Sequence, residues 1–205
     1  VRAGDRLARE VGMIDSTLDA VLSGAYRAAK RVRTETAVGE RPVSIAASAE
    51  RVARNVHGDL SESSALLVGG GEMGCLIADH LRAAGLRRLT VTARIAAQAQ
   101  GLARQLGGHY GLYDELEDLL VDADIVIAAL GAGRPMIAAP MVQQAIVRRR
   151  RKPVFVIDAS VPGDVDTRAN DLDGAFLYDL DDLEAVASEG RVVRDSEAAA
   201  ARTIV

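Results

Sequence analysis

Gly69, Gly71 and Gly74 set the chemistry open to this 205-residue sequence. They form G-x-G-x-x-G inside LLVGGGEMGCLIADHL (66–81), after an apolar run and at the opening of a helical pattern. That is the context a dinucleotide-binding turn requires. Gly69 allows the tight turn, Gly71 lets the backbone approach a pyrophosphate, and Gly74 lets helix and strand pack closely. The helix start at Glu72, Met73 and Gly74 offers an anion free N–H groups and partial positive charge. About 20 positions on, an NAD binder places an acidic residue for the ribose hydroxyls. Here the sequence reads Ala93-Arg94, with no Asp or Glu. A guanidinium can pair with a 2′-phosphate through parallel N–H donors, so NADP(H) is the expected cofactor. An ordinary solvated arginine is the competing reading of Arg94.

Cys75, the single cysteine, falls in the first turn of the same helix. A helix N-terminus can lower a thiol's pKa. That turn, however, is where the pyrophosphate sits, and hydride leaves the opposite end of the cofactor. Cys75 is therefore expected to be a small packing residue. No other nucleophile is evident, so no catalytic residue is assigned in this chain. His57, His80 and His109 lack metal-ligand spacing, so no metal is expected. Ala129, Leu130 and Gly131 end the fourth apolar run and are expected at the lip of the crevice, where the winding of the sheet reverses. Asp158, Ser160 and Asp164 follow the fifth run, either as ligands or as turn-forming caps. Two basic runs, 28–36 and 148–152, end helical patterns. The helix dipole accounts for both, and an RNA phosphate contact is the other reading.

These residues need a scaffold, and the patterning describes one. Periodicity predicts helices over 3–11, 16–34 and 42–56, the last with Pro42 at its first position. From Ser64 strands and helices alternate: strands at 65–69, 88–93, 109–113, 124–130, 153–159 and 175–179, with helices at 72–84, 95–107, 114–120, 138–150 and from Asp181. The strands are continuous apolar runs, as strands covered on both faces are. The expected fold is α/β: a Rossmann-like, doubly wound parallel sheet with flanking helices, an N-terminal helical segment and a C-terminal helix. Three parts follow: a helical tail at 1–40, the nucleotide-binding domain at 41–180, and the start of a further helix at 181–205.

Composition narrows the class. Aromatics are scarce and tryptophan is absent, so the core must be built from Ala, Val, Leu and Ile. A net charge of −4 argues against a general nucleic-acid binder, though not against a local basic patch. One cysteine allows no internal disulfide, which fits a reducing cytoplasm. No signal peptide opens the chain, and no apolar run reaches the roughly 18 residues that span a bilayer. The chain begins at Val1 inside a helical pattern, as a fragment of a longer protein would.

Several stretches together resemble glutamyl-tRNA reductase: AAKRVRTETAVGERPVSIAASA (28–49), LLVGGGEMG (66–74), ADIVIAALGAGRPMI (123–137), FVIDASVPGDVD (155–166) and FLYDLDDLEAV (176–186). The resemblance implies an enzyme that attacks tRNA-bound glutamate with a cysteine in an N-terminal domain. It then reduces the thioester with NADPH to glutamate-1-semialdehyde, toward tetrapyrroles. It also implies a homodimer and a glutamate-1-semialdehyde aminomutase that receives the product. This chain would supply the NADPH-binding part, flanked by the last helices of the catalytic domain and the start of a dimerisation helix. The family's second-strand N-R-T reads Ala93-Arg94-Ile95 here, and Ala129-Leu130 stand where hydroxyl side chains are usual. Two competing readings are a shikimate-type NADP-dependent dehydrogenase and a nucleotide-binding module without catalysis. The KRVRTET segment separates the first of these from glutamyl-tRNA reductase.

Overall fold

From Ser64 onward the apolar runs pair side by side as six parallel strands. They are β1 (Ser64–Gly69), β2 (Arg88–Thr92), β3 (His109–Tyr110), β4 (Ile125–Ala129), β5 (Val154–Asp158) and β6 (Ala175–Tyr178), in the order β3-β2-β1-β4-β5-β6. The order reverses between β1 and β4, where Gly69 lies in register with Ala129. This computed structural model describes Ala8 and residues 13–35 and 44–189. Two units divide the chain: 1–41 with 189–205, and Pro42–Ser188. In the first, α1 (Ser16–Glu35) is capped by Asp15, whose Oδ1 accepts the Leu18 N–H at 2.7 Å.

In the second unit, helices cover both faces of the sheet. On one face lie α2 (Ile45–His57), α3 (Glu72–Ala83) and α4 (Ala96–Leu106), packed on Leu67, Val91, Ile127 and Ile157. On the other lie α5 (Leu116–Asp122) and α6 (Ala139–Arg148), packed on Leu66, Val68, Val126 and Val156. Successive strand residues face opposite layers. All five residues of β4 and of β5 are buried, which is why those runs read as unbroken apolar sequence. The expected doubly wound fold is thus the observed one.

Several element boundaries differ from the sequence expectation, three of them for a visible reason. The helix expected from Pro42 starts at Ile45, because the Ser44 hydroxyl accepts the Ala47 N–H at 3.2 Å and caps it there. Pro42 itself lies outside the described residues, as does the 3–11 helix apart from Ala8. The third strand is shorter than expected, since Gly111 turns away after its N–H donates to the Val91 carbonyl at 3.0 Å. Helix α6 ends at Arg148, and Arg150 and Arg151 follow in left-handed conformations at φ 56° and 59°.

The basic run 148–152 is not a uniform solvated face. Arg148 is half exposed and pairs with Asp118 at 2.7 Å. The next side chain, Arg149, is only 4% exposed. It donates to the carbonyls of Val121 (2.8 Å), Ala123 and Pro153 (3.3 Å), and to Asp124 Oδ1 at 2.6 Å. Asp124 Oδ2 in turn accepts the Ser64 N–H at 2.9 Å. One guanidinium therefore ties the ends of α5 and α6 to the starts of β1, β4 and β5. Burial pushes the Asp124 carboxyl up, but the hydrogen bonds from Ser64 and Arg149 outweigh it and hold it below its ordinary value. That contribution is present above the unfolded carboxylate value and fades as pH falls through the native one. Removing one partner of a buried pair leaves the other uncompensated. We expect Arg149→Ala to lower the urea-unfolding free energy by about 3 kcal/mol, against at most about 0.5 kcal/mol for Arg148→Ala.

Candidate functional site

The glycine turn between β1 and α3 presses directly on the end of β4. The Gly71 N–H donates to the Ala129 carbonyl at 2.9 Å. Gly69 takes φ 98°, and a side chain there would run into the backbone of Ala129 and Leu130. A Cβ on Gly74 would collide with the Ala129 methyl and come within 3.2 Å of Leu67 Cδ1. Gly69 and Gly74 are thus required by contact with the neighbouring strand, and a Cβ on Gly71 would sit tightly, 3.0 Å from the Ala129 carbonyl oxygen. Helix α3 starts with Gly71 as its N-cap and no side-chain cap bond. The first N–H groups of the helix, from Glu72 onward, have no intrahelical acceptor and can meet an anion.

The β4 lip is held by a buried carboxylate. Asp164 is fully buried. Its Oδ2 accepts the N–H of Leu130 at 2.6 Å and of Gly131 at 2.9 Å, and the Ser160 hydroxyl at 2.6 Å; Oδ1 accepts the Ala132 N–H at 2.9 Å. Asp158 holds the same loop from below, accepting N–H groups of Ser160, Asp164 and Val165 at 3.2, 3.1 and 2.9 Å. Burial pushes its carboxyl up, against those bonds, which pull it down. Of the two readings of Asp158, Ser160 and Asp164, the geometry matches capping: their oxygens are engaged by the loop itself.

Between the turn and this lip opens a cleft of about 600 Å³. It is lined by Gly69, Gly71, Ala93, Arg94 and Leu130 from the sequence-selected residues, and by Gly70, Ile95 and Gln98 besides. Glu72, Met73, Gly74, Ala129 and Gly131 adjoin it without lining it: Met73 and Ala129 pack on the core, Glu72 and Gly131 are exposed, and Gly74 is the close-packing point. The sequence pattern did not single out Gln98, whose amide lies over Gly70. Its only signal was its place one turn after Arg94. Arg94 is exposed at the mouth. Ile95, 64% exposed, is the N-cap of α4 and makes no cap bond. A second cavity of about 340 Å³ is lined by Asp158, Asp179, Asp181 and Asp182. Its charge is wrong for a phosphate, whereas the glycine cleft offers backbone N–H groups and a guanidinium.

Cys75 is partly buried and packs on the α2–α4 core layer, where burial pushes its thiol above the ordinary value. That is the opposite of an activated thiolate. His80 bonds Glu50 at 3.0 Å, and burial lowers the His57 pKa. Among the described residues no group of three or more His, Cys, Asp or Glu could hold a metal, and no helix is long and apolar enough to cross a membrane.

Comparison with known proteins adds relatives to this geometry. The family model described as shikimate / quinate 5-dehydrogenase matches residues 51–186. The chain is 46% identical over 205 residues to the glutamyl-tRNA reductase of Rhodospirillum rubrum, all of this chain against 48% of that protein. It is 39% identical over 199 residues to that of Pseudomonas putida, 97% of this chain against 47%. The solved structure of glutamyl-tRNA reductase from Methanopyrus kandleri matches with a TM-score of 0.88 at 35% identity, covering 99% of this chain and 51% of that one. The chain spans about half the length of the curated relatives it matches.

The contact geometry predicts opposite signs for one chemical change. Gly74→Ala forces a methyl against Ala129 and should cost about 1–3 kcal/mol. Gly101→Ala, in α4 with open space around the new Cβ, should gain about 0.5–1 kcal/mol. Ile95→Thr supplies the missing α4 cap and should add about 1 kcal/mol. Urea unfolding of the three variants checks all of these together.

Proposed function

The chain belongs to the shikimate / quinate 5-dehydrogenase family and is homologous along its whole length to glutamyl-tRNA reductases; from that premise we propose that it is the NADPH-holding part of such a reductase. The observation that carries the cofactor half of the reading is the cleft itself: a glycine turn with no room for side chains, ending at Arg94 instead of a carboxylate. A carboxylate at that place would repel a 2′-phosphate, and a guanidinium attracts it. Bound NADPH would supply hydride. The residues of this chain do the rest by position. The α3 start faces the pyrophosphate, Gly71 is kept clear of side-chain bulk, and Arg94 takes the 2′-phosphate. The Asp164-anchored lip bounds the opposite side.

In this reading the substrate is the acyl group of glutamyl-tRNA, the product is glutamate-1-semialdehyde, and the route leads to tetrapyrroles in the cytoplasm. The full enzyme works as a homodimer and passes its product to an aminomutase. The acyl group has to be held by a nucleophile that these 205 residues lack, because the single cysteine is a packing residue. The chain by itself thus binds cofactor without turning over. A shikimate-type dehydrogenase has the family model in its favour. The identity to glutamyl-tRNA reductases over the whole chain, including the stretch before residue 51, supports the reductase instead.

Fluorescence titration with NADPH and NADH tests this. We expect NADPH to bind more tightly by at least tenfold, about 1.4 kcal/mol, and Arg94→Ala to remove most of that preference while leaving NADH affinity unchanged. Equal affinities in the unaltered chain would mean that Arg94 serves only solvent. Release of glutamate-1-semialdehyde from glutamyl-tRNA by this chain alone would refute the division of labour.

A further inference from the structure

The fold absorbs only two cations of the basic run 148–152: Arg148 pairs with Asp118, and Arg149 turns inward. Arg150, Arg151 and Lys152 are exposed. Among the described residues their side chains make no ion pair or hydrogen bond. Arg54, Arg82, Arg88, Arg104 and Arg168, by contrast, each bond a carboxylate or a carbonyl. The turn that carries the three free cations is well fastened. The Arg150 N–H donates to the Val147 carbonyl at 3.1 Å, that of Arg151 to Ile146 at 2.9 Å, and that of Lys152 to Arg149 at 3.3 Å. With Arg150 and Arg151 left-handed, the chain reverses around the buried guanidinium and leaves the next three side chains outside. Gln143, Gln144 and Val147 continue the exposed surface along α6. Arg151 borders a groove of about 270 Å³ with Gln143, Val147 and Asp173, and Asp173 makes no ion pair with it.

We propose that Arg150, Arg151 and Lys152 contact the phosphate backbone of an RNA. The proposal rests on the glutamyl-tRNA reading above and adds to it the surface that meets the tRNA. Cations and glutamine amides are the side chains that bond phosphate and sugar oxygens. A membrane surface would call for aromatic or leucine side chains beside the charges, and a protein partner for aromatic anchors. The patch has neither; its exposed apolar side chain is Val147. The whole chain carries a net charge of −4, so attraction of a polyanion is confined to such a patch. The turn precedes β5, at the opposite end of the sheet from the glycine cleft. It therefore meets the body of the RNA and not its acylated end. Phosphate contacts carry no sequence information, so the patch sets affinity for any tRNA alike.

The test follows binding of glutamate tRNA and of one other tRNA to the whole chain by fluorescence anisotropy, from about 50 to about 200 mM salt. Replacing all three cations, Arg150→Gln with Arg151→Gln and Lys152→Gln, should weaken both tRNAs by the same factor, roughly tenfold or more at the lower salt. It should also lower the slope of log affinity against log salt by about 2 to 3. Arg168→Gln, which removes a cation already bonded to Asp166 at 2.6 Å, should leave that slope unchanged. Melting without RNA identifies a variant that fails to fold. In that case Arg150→Gly with Arg151→Gly, which suits the left-handed backbone, takes its place and should lower the slope by roughly 1.5. An unchanged slope in the folded variants would overturn the proposal, as would an equal change in Arg168→Gln or no tRNA binding by the unaltered chain. Binding to phosphatidylglycerol vesicles that the triple variant abolishes, with tRNA affinity unmoved, would assign the patch to a membrane and overturn it too. The NADPH preference of Arg94 tests the reductase reading separately, so the two can fail independently.

Discussion

Everything at the candidate site depends on how closely the turn after β1 approaches Ala129. The Gly71 N–H bonds the Ala129 carbonyl, Gly69 has its φ at 98° beside the same peptide, and Gly74 meets the Ala129 methyl. A larger side chain at Gly69 or Gly74 would push α3 off the sheet and widen the β1–β4 gap. The start of α3 could then no longer point into the cleft. The approach is possible because β1 and β4 are parallel neighbours with Gly69 opposite Ala129. Gly69 and Gly71 therefore meet a packing requirement of the core and line the cleft as well.

Two buried charges hold β4 at its ends. Arg149 gathers carbonyls and Asp124 at the start of the strand, and Asp164 gathers N–H groups just past its end. Each compensates its burial by hydrogen bonding to backbone that would otherwise go unsatisfied at a helix end or in a loop. With a core of small aliphatic side chains, these polar clamps set where the loops begin. The non-glycine φ values at Arg150 and Arg151 follow from the first clamp, since the chain must turn sharply to bring Lys152 and Pro153 carbonyls back to the Arg149 guanidinium.

The sheet was legible in the sequence because both of its faces are covered, so the strands stood out as apolar runs between helical patterns. The glycine turn was legible because its spacing states a steric need. Arg149 was not, because it lies in a row of four arginines and its neighbours in sequence are exposed. Nothing local distinguishes the one that turns inward; its partners come from α5 and from the residues just before β4 and β5. Asp164 was recognised as a polar loop residue, but its backbone N–H partners lie 32 to 34 positions away. Gln98 escaped notice for the same reason: the cleft brings its amide over Gly70 from a separate crossover, and no spacing along the chain records that.

The Asp164 carboxylate has one further consequence. The N–H groups of Leu130, Gly131 and Ala132 are satisfied from within, so this side of the opening is already held in place without a guest. Little chain entropy remains to be lost there. A ligand entering there would be limited by diffusional encounter and orientation instead of by loop folding.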